Sequence, residues 1–413
     1  MVSLSGNRFK FWPFCLIGAL VGTVVSQTVL DICTTLMCLH MIYDYFKTPE
    51  NFKKMKRIGI EWAFAAYFVV VLLGFYFNAS PDAEVAASLA KFSWVINLYI
   101  YIYAFSRIEM SPQKLICFFA FAFLLPNAYA LATYFAGFDF LTQNYTHRII
   151  GLVNSATYHA HANAVLLVFM AAVLWLCREK ISRRLFIFSF VSLLIFALSV
   201  FLTHTRGIWI SVFLSSVFSL ALVNRKAMYV FLALACLALS LAYIFSPRFK
   251  ERVHQTNIEQ NSERINLFKL NVQIWQEYPL LGIGYGENLR RNREYWDRPE
   301  WNMPEDYITS HAHNQFLNVL ATTGILGLFF FSSFYFYFIR LNWKVVQSLR
   351  SQDRTLKQVL ALACLWAQVE FFLACLTDVS FEYAKIRALL IFVWALIINI
   401  QRDSLKESPH VAV

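Results

Sequence analysis

Apolar runs long enough to cross a bilayer recur along almost the whole chain, and no other feature narrows its fold as much. They lie near 11–27, 28–46, 59–77, 87–106, 114–136, 160–177, 185–203, 206–223, 227–246, 315–340, 356–377 and 384–400. A chain with 59% hydrophobic and only 15% charged residues cannot cover that surface in water, so lipid must be the solvent for most of it. The expected fold class is an all-α polytopic membrane protein of about twelve transmembrane helices. The first two runs form one stretch interrupted only by Asp31. That suits either a tight hairpin or a single span with an amphipathic piece. No small-residue cleavage site follows the first run, so it is expected to be retained.

The formal charge of +11 invites a nucleic-acid reading, but its distribution argues against one. Lys and Arg concentrate in every second connection: Lys47 to Arg57, Arg107 with Lys114, Arg178 to Arg184, Arg225 with Lys226, and Arg340 to Lys357. The loops between them, such as 78–86 and 378–383, are acidic or neutral. This alternation is a topology signal, and it puts both chain ends in the cytoplasm. It divides the chain into an N-terminal transmembrane bundle (1–246), a large outer loop or cap (247–313), C-terminal transmembrane helices (314–400) and a cytoplasmic tail (401–413). The eight cysteines lie in or at the ends of apolar runs with no CxxC pair, and read as packing residues.

The cap has its own order. Ile265, Phe268, Val272 and Trp275 recur at helical spacing, and Ser262 stands where an N-cap would. Arg264 then falls in the first turn, where a guanidinium beside free backbone N–H groups suits a phosphate, although a salt bridge to Glu263 would explain it as well. Gly282-x-Gly284-x-Gly286 has no βαβ context and reads as a tight turn, followed by the surface cluster Arg290, Arg291 and Arg293.

Other chemistry-bearing residues gather at the outer boundary. Arg206, in the turn Thr203-His204-Thr205-Arg206-Gly207, is costly at the head of an apolar span unless it anchors to headgroups or binds an anion. Ser310-His311-Ala312-His313-Asn314 precedes the next apolar run on the same side. Histidine can hold or release a proton near neutral pH, which suits general-base work. The HxH spacing also raises a metal, but no further Cys or carboxylate completes a site locally. A helix cap is a third reading of this segment. Asp378 and Glu382, in the last outer loop, can orient a histidine, bind a sugar hydroxyl or simply be solvated.

Several of these segments together resemble the O-antigen ligase family, which shares its domain with O-antigen polymerases and protein O-oligosaccharyltransferases. The strongest stretch is His311 to Gln315, continuing through Leu317 to Thr323-Gly324-Ile325-Leu326-Gly327. Tyr278 to Gly286 is similar to the family's Pro-Leu-x-Gly-x-Gly segment, and Thr203 to Gly207 to its Thr-x-Thr-Arg segment. Arg148 with Gly151 and Asn154 resembles an upstream Arg-x-x-Gly-x-x-Asn element, and Arg264 stands where the family places a loop arginine. The doubled histidine and Thr377-Asp378 favour ligase over polymerase.

The resemblance implies a GT-C-like fold with a partly helical periplasmic loop between the ninth and tenth helices. It implies an inner-membrane enzyme that moves a glycan from undecaprenyl pyrophosphate to a sugar hydroxyl of lipid A–core, inverting and without a metal or other cofactor. His313 is then the expected base. Arg206, Arg264, Arg148 and Arg290 are the expected pyrophosphate ligands, and His311, Asn314 and Asp378 complete the substrate site. An O-antigen polymerase is the nearest alternative enzyme. A lipid-linked sugar flippase is the alternative of another class, and it predicts charges near the bilayer centre, where only Asp31 and Glu370 are candidates.

Overall fold

The structure is a computed structural model that describes residues 8–50, 57–78, 85–108, 112–139, 144–145, 148–153, 155–254, 258–296, 298, 311–349 and 355–407. In chain order the helices are α1 (Arg8–Val25), α2 (Gln27–Lys47), α3 (Glu61–Asn78), α4 (Val85–Ala90), α5 (Trp94–Phe105), α6 (Pro112–Ala136), α7 (Ala156–Cys177), α8 (Arg183–Leu202), α9 (Arg206–Val223) and α10 (Arg225–Phe245). The cap contributes α11 (Pro247–His254), α12 (Ile258–Glu277) and α13 (Asn288–Trp296). The chain returns in α14 (Gln315–Ser348), α15 (Leu356–Cys375) and α16 (Ala384–Glu407).

This is an all-α polytopic membrane protein. Among the described residues, nine helices are long and apolar enough to cross a membrane, and Phe11–Val25 is a shorter apolar one. The expected span 87–106 is broken into α4, a 3-10 turn (Lys91–Ser93) and α5, and α6 carries Pro126 within it. The first apolar stretch is a helical hairpin. Only Ser26 separates α1 from α2, and Gly18 faces Cys33 while Gly22 meets the backbone of Leu30. Among the described residues, Phe138–Asp139 pairs antiparallel with Asn144–Tyr145, Phe138 opposite Tyr145.

Two ends of the bundle are defined by their cross-links. At one, Asp44 accepts from Tyr103, Gln113 bonds Lys180 O, Glu61 bonds Tyr99, and Tyr337 reaches Ile58 O. At the other, Asn78 donates to Gly282 O, Arg291 to Asn78 O and Tyr285 to Glu382, which ties the cap to α3 and to the last loop. Helices α7, α15 and α16 form the interior, whereas α10 has no buried residue and is peripheral.

Helix α14 is interrupted where it meets the cap. Gly324 has φ 65° and ψ −170° inside an otherwise helical run. The break frees backbone groups that lipid cannot satisfy. The cap strand 279–284 satisfies them: Ile325 N donates to Pro279 O at 2.9 Å and Leu326 N to Leu280 O at 3.4 Å. In return, Ile283 N and Gly284 N donate to Ala321 O and Thr322 O, each at 3.0 Å. Gly282 (φ +65°) and Gly324 (φ +65°) permit the crossing, since a Cβ on either would run into the other segment's backbone. The expected Gly turn is therefore a splice between cap and membrane helix.

The cap's buried stripe is Leu267, Leu270 and Ile274, packed on Ile283, Tyr295 and Ala321. Ile265 is exposed and Phe268, Val272 and Trp275 are only partly covered, so the apolar spacing noted in the sequence lies off the packed face. The helix also begins earlier than Ser262 suggests, at Ile258, because Glu259 and Gln260 are good helix formers. Arg264 thus stands beyond the first turn, and the free N–H groups expected beside it belong elsewhere.

Gly282→Ala and Gly324→Ala should each lower thermal stability in detergent by at least ~2–3 kcal/mol, from left-handed strain plus a backbone clash. Gly137→Ala, at φ +69° with nothing within 4 Å of the new Cβ, should cost only the strain, roughly 1–2 kcal/mol. Equal melting shifts for all three would contradict the splice.

Candidate active site

Four separate stretches meet at the cap end of the bundle. Arg148 Nε donates to Thr203 O at 2.8 Å and its Nη2 to Thr205 Oγ1 at 3.4 Å, which locks the 148–151 segment onto the 203–207 turn. That turn packs in its own right against the last loop, because Gly207 leaves no space for a Cβ beside Thr377. Asn314 joins the same loop by donating Nδ2–H to Leu376 O at 3.0 Å. Its Oδ1 accepts from Phe316 N and Leu317 N, both at 3.0 Å, and so caps α14. The capping reading of this segment holds for Asn314, whose two polar atoms are both committed.

The histidines flank that cap. His313 has φ 48°, and only His204 (φ 54°) shares this among described non-glycine residues. A left-handed non-glycine residue costs energy that its surroundings must hold in place. Here the cap holds it from one side, and its N–H donates to His311 Nδ1 (3.3 Å) on the other. With Nδ1 accepting, His311 carries its proton on Nε2, 3.3 Å from Tyr383 Oη. Tyr383 in turn donates to Asp378 Oδ1 at 3.4 Å. Burial, and then the neighbouring His313 and Arg264, push His311 down to about 4, against the opposing pull of Asp378. His311 is therefore neutral, with both ring nitrogens engaged.

Asp378 is buried at the centre. Its Oδ1 accepts from Val379 N at 2.8 Å and lies 3.7 Å from His313 Nδ1. Its Oδ2 lies 3.4 Å from His161 Nε2. Burial would raise the carboxyl, but the two imidazoles outweigh it and hold it well below the ordinary carboxylate range. An ionised Asp378 3.7 Å away favours a proton on His313 Nδ1, which would leave the Nε2 lone pair as the basic atom.

The arginines singled out in the sequence differ in their settings. Arg206 opens α9, whose N-cap Thr205 makes no side-chain cap bond, so a positive helix end stands beside its half-buried guanidinium. The helix-end argument attached to Arg264 in the sequence thus belongs to Arg206. Arg264 is exposed on α12, with its charge felt at His311. Arg290 is exposed and 3.7 Å from Glu294. Arg291 bonds Glu294 at 2.8 Å and Asn78 O, a clamp between cap and α3. Glu382 links Tyr285 (2.9 Å) to Gln315 (3.4 Å). Ser310 and Asn154 lie outside the described residues.

A metal is sterically conceivable. His311, His313 and Asp378 each offer a donor atom, all within 4.8 Å of one another. The donor set fits poorly, since His311 would have to surrender a hydrogen bond to coordinate.

Residues 191–332 match the family model described as O-Antigen ligase. That segment is similar to an O-antigen ligase domain. The matched segment runs from α8 through the cap to just past the α14 splice, and it includes Arg206, Arg264, His311 and His313. No curated protein matches the chain. Arg148, His161 and Asp378 lie outside the matched segment, and of these His161 is not singled out by the sequence. The only signal was polarity: Tyr158-His159-Ala160-His161 at the head of an apolar helix.

A histidine whose folded pKa lies below its unfolded value of 6.5 stabilises the fold while neutral. That contribution is complete above the unfolded value and is lost as pH falls toward the folded one. Wild-type protein should therefore lose melting temperature more steeply than His311→Asn between about pH 7 and about pH 4.5. Parallel curves would show that His311 is not held neutral.

Proposed function

We propose that this protein is an O-antigen ligase-type glycosyltransferase of the bacterial inner membrane, with its active site facing the periplasm. The donor is a glycan on undecaprenyl pyrophosphate, and the acceptor is a sugar hydroxyl of lipid A–core. One strained imidazole beside a buried carboxylate, with the turn that carries Arg206 packed on the same loop through Gly207 and Thr377, supports this reading. The basic loops at the opposite end of the bundle support the orientation.

His313 Nε2 takes the proton of the acceptor hydroxyl as its oxygen attacks C1 of the donor sugar. The C1–O bond to the pyrophosphate breaks on the opposite face, which inverts the anomeric centre and releases undecaprenyl pyrophosphate. Charge gathers on that leaving group, and preorganised cations stabilise it best where water is scarce. Arg206 at its helix end is the principal candidate, with Arg264 and Arg290 as further ones. Arg148 holds the Arg206 turn. Asp378 balances the imidazolium that forms. Asn314 and His311 fix the loop that presents His313.

Transfer from carrier-linked glycan to purified lipid A–core in detergent tests the reading. His313→Ala should lose about 10²–10⁴-fold in rate. Arg206→Lys should recover poorly if the guanidinium binds phosphate in two-point fashion. Chelator should leave the rate unchanged. A His313→Ala enzyme at wild-type rate would remove the base assignment, and loss of activity in chelator, restored by zinc, would favour the metal. Elongation of carrier-linked glycan without transfer to lipid A–core would make the protein a polymerase.

A further inference from the structure

His161 lies in the second turn of α7, 2% exposed, in a helix largely enclosed by its neighbours. An imidazole in such a place is expensive unless every polar atom is used. Nδ1 lies 2.9 Å from Ser380 Oγ, and Nε2 faces Asp378 Oδ2 at 3.4 Å. Ser380 is itself fully buried. A carboxylate only accepts, so the proton of a neutral His161 sits on Nε2, and Nδ1 accepts the Ser380 O–H. The direction of the chain is then set: Ser380 donates to His161, His161 faces Asp378, and Asp378 faces His313.

The two oxygens of Asp378 divide their partners. Oδ1 serves the loop, through Val379 N and Tyr383 Oη, and approaches His313 Nδ1. Oδ2 faces His161. The loop bonds set where the carboxylate sits, but they converge on one oxygen and leave it able to turn about that point. His161 comes from a different element, the rigid interior helix, and holds the second oxygen.

We propose that His161, seated by Ser380, is a positioning residue for the base. It pins Asp378 Oδ2 so that Oδ1 stays directed at His313 Nδ1, which keeps the His313 proton on Nδ1 and its Nε2 free for the acceptor hydroxyl. The inference rests on His313 acting as the base, and it extends the machinery to α7, outside the O-antigen ligase match at 191–332. The 3.4 and 3.7 Å approaches are expected to tighten when acceptor and donor are bound.

The test compares His161→Leu, His161→Gln and Ser380→Ala in the transfer assay, with melting temperature in detergent measured on each. Gln can place an amide N–H where His161 Nε2 stands; Leu cannot. His161→Leu should lower kcat by about 10–100-fold with donor KM within about twofold. His161→Gln should recover most of the loss, and Ser380→Ala should lose less than His161→Leu. Wild-type kcat in His161→Leu overturns the proposal. So does a raised KM at unchanged kcat, or equal losses in Leu and Gln that follow their melting temperatures. A second measurement does not depend on turnover. In ¹⁵N-histidine-labelled protein, with His313 assigned by its absence in His313→Gln, the protonated Nδ1 signal should persist in His161→Gln and redistribute between the ring nitrogens in His161→Leu. An unchanged His313 signal in His161→Leu sinks the relay even if the wild type transfers glycan. Wild-type protein that transfers nothing while this signal responds refutes the functional reading and leaves the relay standing.

Discussion

The exchange of backbone hydrogen bonds between the broken helix α14 and the cap strand 279–284 is the interaction on which the rest of the molecule depends. A helix interrupted inside the packed structure leaves N–H and C=O groups without helical partners, and buried groups of that kind must be paired elsewhere. The cap does so with its own main chain, and in both segments the crossing point is a glycine with positive φ. Cap and bundle are therefore one structure. The same splice sets where the first half of α14 begins, and so where Asn314 caps it and where the two histidines stand.

The second constraint is electrostatic. A carboxylate buried between helices is tolerated because two imidazoles and a backbone N–H surround it. Around it, the 376–380 loop collects Gly207 from α9, Asn314 from α14 and His161 from α7. Residues from elements that share no local sequence thereby meet at one loop. The left-handed backbone of His313 belongs to the same logic. Its strain persists because a cap on one side and His311 on the other leave the residue no easier conformation.

Much of this was legible in the sequence. Helix content and most spans followed from apolar run length, because in lipid a run that long has one backbone solution. The His311–Asn314 segment, Arg206 and the Gly-rich stretch stood out because polar or conformationally special residues at a membrane boundary need a reason. Where the reading failed, the signal was local and the answer was not. Ser262 looks like a cap, but α12 begins at Ile258. Ile265, Phe268 and Trp275 look like the packed face, but Leu267, Leu270 and Ile274 pack. An apolar stripe says that a face exists; the neighbour it meets decides which stripe is buried.

By itself, then, the sequence determined the class of the fold, the two polar ends of the bundle and the residue types that bring chemistry to one of them, since each follows from solvation of single segments. Only the tertiary structure decided which residues meet: that the positive helix end accompanies Arg206 and not Arg264, that Gly282 and Gly324 form one crossing, and that His161 lies against Asp378, 217 positions further along the chain. Contacts between residues so far apart depend on how helices pack against one another, and the pattern of a single segment carries no record of its partner.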